Sequence, residues 1–412
     1  MANLSAYESL VFLLRRVPED NVGTHPGREV RQDWDGIMQE AIRHQVAPLL
    51  YAHLKTKAAL LDVPVDVMDR LNQAYLYHGF KNTQLLHELS NVLTELRKAG
   101  LSNIVLKGAH LAETVYGNPA LRPMDDVDLL VKRADLASVE NKLRELGYVH
   151  PEHFKEHTKL DSHHLPAFAK PGGKAVIEVH WAIPPSQLLR IDLEGLWQRS
   201  QPATIAGVET RTLSSEDLLL HLCVHASVHH RFGVGLRALA DIREVIQHHG
   251  NRLNWKELVV RACQWHARRG AHLALYISKD LLGTDVPQRA LDDLMPTDFD
   301  EGIVRWAKEQ VAKQNTDLIN PSSPSPRMAT ILENKSILQK TSSIIKAVFP
   351  PLDEVALTYH VPLRSRRVLL YYPVRLKDLL QSRGRAAWRV LRRDKHTTAQ
   401  ADMYRRLVDD VD

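Results

Sequence analysis

Three acidic side chains lie inside apolar runs of the sequence, where an unpaired charge is costly. Asp126 and Asp128 alternate with apolar residues in DDVDLLV, and Glu178 lies within AVIEVHW. Residues i and i+2 of a strand point to the same face, so Asp126 and Asp128 should project together, roughly 7 Å apart at the backbone. Mg²⁺ prefers oxygen ligands and keeps waters for a phosphate-bearing substrate. The three acids therefore predict a site for Mg²⁺, or alternatively Mn²⁺, that serves displacement at phosphorus.

Neighbouring residues predict contacts to a triphosphate. Lys107 and Gly108 end one apolar run and open a helix, where glycine lets the backbone approach a ligand and the helix N-terminus attracts phosphate. Lys107 adds a point charge. Arg122, four residues before Asp126, is a second candidate phosphate clamp. His180, on the same face of its predicted strand as the third acid, could bind phosphate or orient the site.

The surrounding elements alternate as in a small α/β unit. Apolar runs at 103–106 and 127–131 each precede a helical segment. Segments 164–169 and 175–181 flank a Pro-Gly-Gly turn, which predicts a hairpin. Helical periodicity dominates before residue 100 and from residue 213 onwards. We therefore expect an α+β fold in which helical regions flank a small mixed β-sheet core on its N-terminal and C-terminal sides.

Shifts in composition divide the chain into five segments. We predict an N-terminal helical region at 1–100, an α/β core at 101–213, a helical domain at 214–319, a linker at 320–327 and a helical, basic extension at 328–412. The linker rests on the sequence NPSSPSPR, whose prolines and serines interrupt helical periodicity.

The charge of the chain is concentrated near its end. The net charge is +5 over 412 residues, yet residues 361–396 alone hold eleven Lys or Arg against two Asp. This basic tail is consistent with a solvated amphipathic helix, an acidic protein partner, a membrane surface or phosphate contacts to nucleic acid. No signal for sequence-specific nucleic-acid recognition is present.

Cysteine and hydropathy patterns favour a cytoplasmic protein. Cys223 and Cys263 are the two cysteines of the sequence, too few for a disulfide framework or a cysteine-built zinc site, and we expect both to be small core residues. No run approaches the eighteen apolar residues of a membrane span, and the first helix lacks the features of a signal peptide.

A ladder of histidines at spacings of four residues invites a metal interpretation. His221, His225 and His229 share one helix face, and Asp241 on the next helix could complete a zinc site. No His-Glu-x-x-His motif supports this, so a half-buried face packed on the α/β core is the favoured interpretation. A contact of His225 or His229 with nucleotide or acceptor remains a third alternative.

The motif residues together carry a resemblance. Lys107-Gly108, Arg122, DVDLLV at 126–131 and EVHW at 178–181 resemble the uncharacterised nucleotidyltransferase family of the DNA polymerase β-like nucleotidyltransferase superfamily. In that superfamily a glycine-containing turn precedes an Asp-x-Asp strand, and a third acid follows on a later strand. The segments LSSEDLLLHLCVHASVHHRFGVGLRALADI and VFPPLDEVALTYHVP are also similar to the family, so the resemblance spans about 34–375.

The resemblance implies transfer of a nucleoside monophosphate from a nucleoside triphosphate, with ATP the expected donor, to a hydroxyl of a small molecule or protein, with release of pyrophosphate. It implies catalytic and metal-binding roles for Asp126, Asp128 and Glu178. It implies nucleotide contacts for the remaining motif residues, which are Lys107, Gly108, Arg122 and His180. The residues themselves agree, since Glu178 could help to deprotonate the acceptor.

Two other functions are compatible with the same motifs. The superfamily usually has Gly-Gly or Gly-Ser in its turn, whereas this chain has Gly108-Ala109, which also fits a non-catalytic nucleotide-binding or scaffolding module. A glycosyltransferase with its own Asp-x-Asp is disfavoured, because no larger doubly wound sheet is predicted before the acids.

Overall fold

The computed structural model describes residues 4–15, 33–55, 61–151, 163–173, 175–183 and 189–314, short stretches between 345 and 380, and 406–408. The predicted linker at 320–327 and most of the basic tail lie outside these residues. In the described part, no helix combines the length and the apolar character that a membrane crossing needs.

Six described strands form one mixed sheet, which confirms the predicted α+β fold. In chain order they are β1 Asn103–Val105, β2 Val127–Val131, β3 Phe168–Ala169, β4 Val176–His180, β5 Gln201–Ile205 and β6 Val208–Thr212. Their order across the sheet is β3-β4-β2-β1-β6-β5. The pairs β2–β4 and β1–β6 are parallel, and the other neighbours are antiparallel.

Helices surround this sheet. The α-helices of the described part are α1 Ala6–Leu14, α2 Trp34–Arg43, α3 Ala47–Leu54, α4 Val65–Lys98, α5 Lys107–His110, α6 Leu136–Glu145, α7 Leu193–Arg199, α8 Ser215–Val224, α9 Leu236–His249, α10 Trp255–Gln264, α11 Arg268–Leu282, α12 Gln288–Leu294 and α13 Glu301–Lys313. Single π-helical turns, Leu111–Val115 and His225–His229, extend α5 and α8.

Two hairpins form the edges of the sheet. The turn after residue 169 joins β3 to the antiparallel β4, as the sequence predicts. The hairpin of β5 and β6 was not predicted. Its turn residues Ala206 and Gly207 both have positive φ, 50° and 74°, as a tight turn between twisted strands requires.

The two faces of the sheet pack against different layers. Val127, Leu129, Ile177 and Val179 belong to a core shared with α4 and α6. Leu130, on the opposite face of β2, belongs to a second core that α1–α3 form with the helices after residue 213. Because residues i and i+2 share a face, Asp128 points to the same side as Leu130. The acids of the sheet therefore face the second helical layer.

A close approach of α4 fixes the loop that carries Arg122. A Cβ on Gly79 would lie 3.1 Å from the Cβ of Ala120, so the helix and the loop touch where glycine leaves room. The buried Asn82 amide donates hydrogen bonds to the carbonyls of Pro119, at 2.6 Å, and Arg122, at 2.8 Å. These two bonds hold the backbone of the loop in one position.

The two cysteines differ in environment. Cys223 is buried as predicted, but Cys263 is exposed, so the expectation that both lie in the core is wrong. The helix α10 buries Leu258 and Ala262, and the residue after Ala262 lies about 100° further round the helix, on the solvent side.

Candidate active site

The strands β2 and β4 bring two predicted acids side by side. Asp128 is the register partner of Glu178, and neighbouring strands lie about 4.8 Å apart. His180 follows two residues after Glu178 and shares its face. The ligand atoms of Asp128, Glu178 and His180 all lie within 4.8 Å of one another, a spacing at which they can hold one divalent cation.

Two cationic side chains already bind these acids. Lys107 Nζ donates to Asp128 Oδ2 at 2.6 Å. His180 Nε2 lies 3.0 Å from Asp128 Oδ1 and 3.3 Å from Glu178 Oε2. We call Lys107, Asp128, Glu178 and His180 the strand cluster. Its two carboxylates and two cationic groups balance one another, which explains how Asp128 can be only 1 % exposed.

The environment sets the protonation of this cluster. Burial favours a raised pKa for Asp128, but Lys107 and the hydrogen bond from His180 hold that pKa well below its usual value. Burial favours a lowered pKa for His180, but its bonds to Asp128 and Glu178 raise the pKa to about 9. Both groups are therefore charged at neutral pH. The Nδ1 atom of His180 has no hydrogen-bond partner among the described residues.

Asp126 lies just before β2, not within it as the alternating pattern predicts. Its carboxylate is half-buried and is not one of the three converging ligands. Burial and then the charge of Asp128 raise the pKa of Asp126 to about 6. Its role as a metal ligand stays a prediction.

The predicted phosphate residues Lys107, Gly108 and Arg122 surround one cavity of about 160 Å³, with Asp126 at its edge. Its opposite wall comes from α8, the turn that follows it and α9. A Cβ on Gly108 would lie 3.6 Å from the Asp126 carbonyl oxygen and 3.7 Å from Arg122 Nη1, which are ordinary contacts. The backbone does not require glycine here, and its absent side chain leaves space in the cavity.

Arg122 is held in a buried ion pair. Its Nε and Nη2 donate to the two carboxylate oxygens of Asp241 at 2.9 and 2.8 Å, and Tyr116 donates to the same carboxylate at 2.9 Å. We call this the Arg122–Asp241 pair. Arg122 still lines the cavity, but the planar fork that would bind phosphate is occupied.

The same pair removes Asp241 from the histidine ladder, so the zinc interpretation loses its carboxylate. The ring centroids of His221 and His225 are 6.0 Å apart, and those of His225 and His229, in the π-helical turn after Val224, are 5.5 Å apart. Burial lowers the pKa of all three histidines. Within the described ranges, the strand cluster supplies the one group of residues with metal-ligand spacing. The structure thus favours a packed helix face over a zinc site. It also places His225 at the wall of the cavity, so its contact with a nucleotide or acceptor stays a prediction.

Residues 31–283, more than half of the chain, match the family described as "Uncharacterised nucleotidyltransferase". The chain belongs to this family. The match confirms the predicted resemblance, and it contains the strand cluster, the cavity and the Arg122–Asp241 pair. No curated protein matches the chain.

Two solved structures of the antibiotic-resistance factor ANT(2'')-Ia show a distant likeness. The solution structure is 15 % identical, with 44 % of this chain and 91 % of that chain covered, at a TM-score of 0.32. The crystal structure in complex with adenylyl-2"-tobramycin is 16 % identical, with coverages of 43 % and 95 %, at a TM-score of 0.32. Likeness at this level establishes neither fold nor substrate.

Proposed function

We propose that the protein is a metal-dependent nucleotidyltransferase that moves a nucleoside monophosphate from a nucleoside triphosphate, ATP in the first instance, to a hydroxyl of a small molecule or protein. The observation that carries the proposal is the in-register pair of Asp128 and Glu178, which with His180 offers three converging ligand atoms. Membership of the nucleotidyltransferase family supports the same reaction class.

Asp128, Glu178 and His180 would hold the cation, with Asp126 as a further ligand. Mg²⁺ prefers an all-oxygen set, whereas a nitrogen ligand such as His180 Nε2 is better tolerated by transition metals such as Mn²⁺. Because His180 is protonated in the strand cluster, its Nε2 can act as a ligand only after the imidazolium has released a proton. A bound divalent cation would neutralise triphosphate charge and polarise the acceptor hydroxyl. Lys107, once it releases Asp128, already lies at the wall of the cavity and can pair with a phosphate.

In the transfer step, the acceptor oxygen attacks the α-phosphorus, and the bond from that phosphorus to the bridging oxygen breaks. Pyrophosphate leaves with the electron pair. Glu178 accepts the hydroxyl proton, because its side chain is 25 % exposed and can meet an acceptor, whereas Asp128 is enclosed. Phosphoryl transfer depends on positioning and charge more than on covalent chemistry.

A second function, a nucleotide-binding module without turnover, is favoured by one observation. Both oxygens of Asp128 are occupied by Lys107 and His180, so a cation must displace an existing partner before it can bind. A protein that never makes this exchange could hold a triphosphate in its cavity without transferring it.

Glu178→Gln is the decisive variant. It removes one ligand and the proposed base while Asp128 keeps both partners, so the fold is retained. Asp128→Asn is less suitable, since it leaves Lys107 and His180 as uncompensated buried charges. We expect pyrophosphate release from labelled ATP with Mg²⁺ or Mn²⁺, screened over hydroxyl acceptors, to fall about 10²-fold or more in Glu178→Gln.

Glu209→Gln is the matched control, because Glu209 is an exposed acid on β6 of the same sheet and should be dispensable. Equal pyrophosphate release by the wild type and Glu178→Gln would disprove the proposed site. Tight binding of ATP by the wild type without turnover on any acceptor would instead favour the binding module.

A further inference from the structure

One cationic side chain of the cavity is not committed to an ion pair. Arg237, the second residue of α9, lines the cavity together with Lys107, Gly108 and Arg122. Among the described residues, its one hydrogen bond runs from Nη1 to the carbonyl of Pro123 at a long 3.3 Å. Within the described part of the chain, no carboxylate lies within 4.0 Å of its guanidinium. Most of its donors are therefore available to a ligand.

The other cations of the cavity are already engaged. Lys107 binds Asp128 at 2.6 Å, and Arg122 holds Asp241 through two parallel bonds. Burial and then the nearby charge of Arg122 lower the pKa of Arg237, which shows that its desolvation is not fully compensated. Asp125, Asp126 and Asp241 face Arg237, but only from beyond ion-pair distance. An anion in the cavity would supply the missing partner.

The start of α9 holds Arg237 in place. Gly235 has a φ of 73°, and a Cβ there would lie 2.4 Å from His44 Nδ1, so only glycine allows this approach. The same His44 Nδ1 accepts a hydrogen bond from the Leu236 amide at 3.2 Å. The backbone just before Arg237 is thus held against His44 at the C-terminal end of α2. This contact fixes the start of α9 and with it the position from which Arg237 reaches the cavity.

The size of the cavity limits its occupant. At about 160 Å³ it is smaller than the roughly 300–1,000 Å³ that enclose a drug-sized ligand. A phosphate chain fits where a whole nucleotide does not. The planar guanidinium fork matches phosphate oxygens in pairs.

We propose that Arg237 binds the β- and γ-phosphates of the nucleoside triphosphate, the part that leaves as pyrophosphate, while Arg122 positions the cavity wall through Asp241. This inference rests on the proposed function and names the residue that recognises its leaving group. Arg237 was not predicted from the sequence, because an arginine near a helix start usually lies in solvent.

The test is calorimetric titration of the full-length protein with inorganic pyrophosphate and Mg²⁺, with AMP as the second ligand. Since a hydrogen bond to a charged group contributes enough to change affinity about 10- to 100-fold, Arg237→Met should weaken pyrophosphate binding by that factor and leave AMP binding unchanged. Arg237→Lys keeps the charge but loses the planar fork, so its affinity for pyrophosphate should lie between those of the wild type and Arg237→Met. Arg97→Met, at an exposed arginine of α4, is the control.

Thermal unfolding of each variant shows whether the fold is kept. Unchanged pyrophosphate affinity in a folded Arg237→Met would overturn the assignment, and so would equal weakening by Arg97→Met. If Arg237→Met does not fold, Arg237→Lys decides in the same way. If the wild type binds neither ATP nor pyrophosphate, both the Arg237 assignment and the proposed function are wrong. If a variant of the strand cluster, such as Glu178→Gln, loses turnover but binds pyrophosphate normally, the result bears on the proposed function and leaves the Arg237 assignment intact.

Discussion

The strand cluster and the Arg122–Asp241 pair are both buried groups of charges, but they differ in how fully their polar atoms are paired and enclosed. In the pair, two oxygens receive three hydrogen bonds, and both charged side chains are almost fully enclosed. In the strand cluster, Glu178 is partly exposed and the Nδ1 of His180 lacks a partner among the described residues. A closed pair is suited to a structural role, whereas a group with a partly exposed carboxylate and an unpartnered polar atom can exchange its partners. We predict that this difference separates a structural pair from the proposed functional group.

The largest effect should follow when the closed pair is broken. Arg122→Met leaves the Asp241 carboxylate buried without its cation, and we expect the free energy of unfolding in urea to fall by about 3–5 kcal/mol. Replacement of both partners by apolar residues, Arg122→Met with Asp241→Leu, should restore most of that loss. Arg97→Met removes an exposed pair with Glu209 and should cost less than about 1 kcal/mol. If Arg122→Met were as stable as the wild type but lost activity, the Arg122–Asp241 pair would have a functional role and not a structural one.

A histidine outside the strand cluster sharpens the comparison, because burial without a close carboxylate shifts its pKa in the opposite direction to that of His180. Burial lowers the pKa of His272 to about 4, with a small opposing effect from Asp292. Below pH 6.5, His272 is therefore protonated in the unfolded chain but stays neutral in the folded protein. The free energy of unfolding consequently falls as the pH drops toward 4. The contribution is about 1.4 kcal/mol per pH unit.

This prediction is checked by urea unfolding at several pH values in the wild type and in His272→Phe. The variant keeps a ring against Phe299 and Tyr276 but cannot titrate, so its stability should depend less on pH in this window. The exposed His87, changed to Phe, supplies the control substitution. An identical pH dependence in the wild type and His272→Phe would contradict the prediction.

The smallest effect is expected at Gly108, where a substitution tests whether the glycine serves the ligand or the backbone. Gly108→Ala meets only ordinary contacts and has no positive φ, so urea unfolding should show a stability equal to the wild type or about 0.4–1 kcal/mol higher. Calorimetry should show weaker pyrophosphate binding, because the methyl group enters the cavity. Gly100→Ala is the contrasting control: its φ of 69° should cost roughly 1–2 kcal/mol. A destabilised Gly108→Ala would mean that the fold, not the ligand, needs this glycine.

The sequence predicts the parts of the site that depend on local pattern. Acids inside apolar runs identify Asp128 and Glu178, because alternation in a strand is visible within five residues. The position of Asp126 is missed by one residue, since strand ends are poorly marked in sequence. The β5–β6 hairpin was overlooked because Ala206-Gly207 is not one of the pairs, such as Asn-Gly or Asp-Gly, that mark a tight turn in sequence.

Long-range pairing could not be predicted in the same way. Nothing near Arg122 in the sequence indicates that Asp241 will occupy its guanidinium, and nothing marks Arg237, the second residue of α9, as a residue that lines the cavity. The difference between a phosphate clamp and a structural arginine depends on tertiary contacts that a single sequence does not show.

The separation of Arg122 from Asp241 has a consequence for synthesis of the chain. Their positions are 119 residues apart, so a ribosome releases the guanidinium long before the carboxylate exists. A nascent chain that ends before residue 241 lacks the carboxylate that pairs with Arg122, so burial of the guanidinium would leave its charge uncompensated. Closure of this pair thus requires that translation has supplied both walls of the cavity.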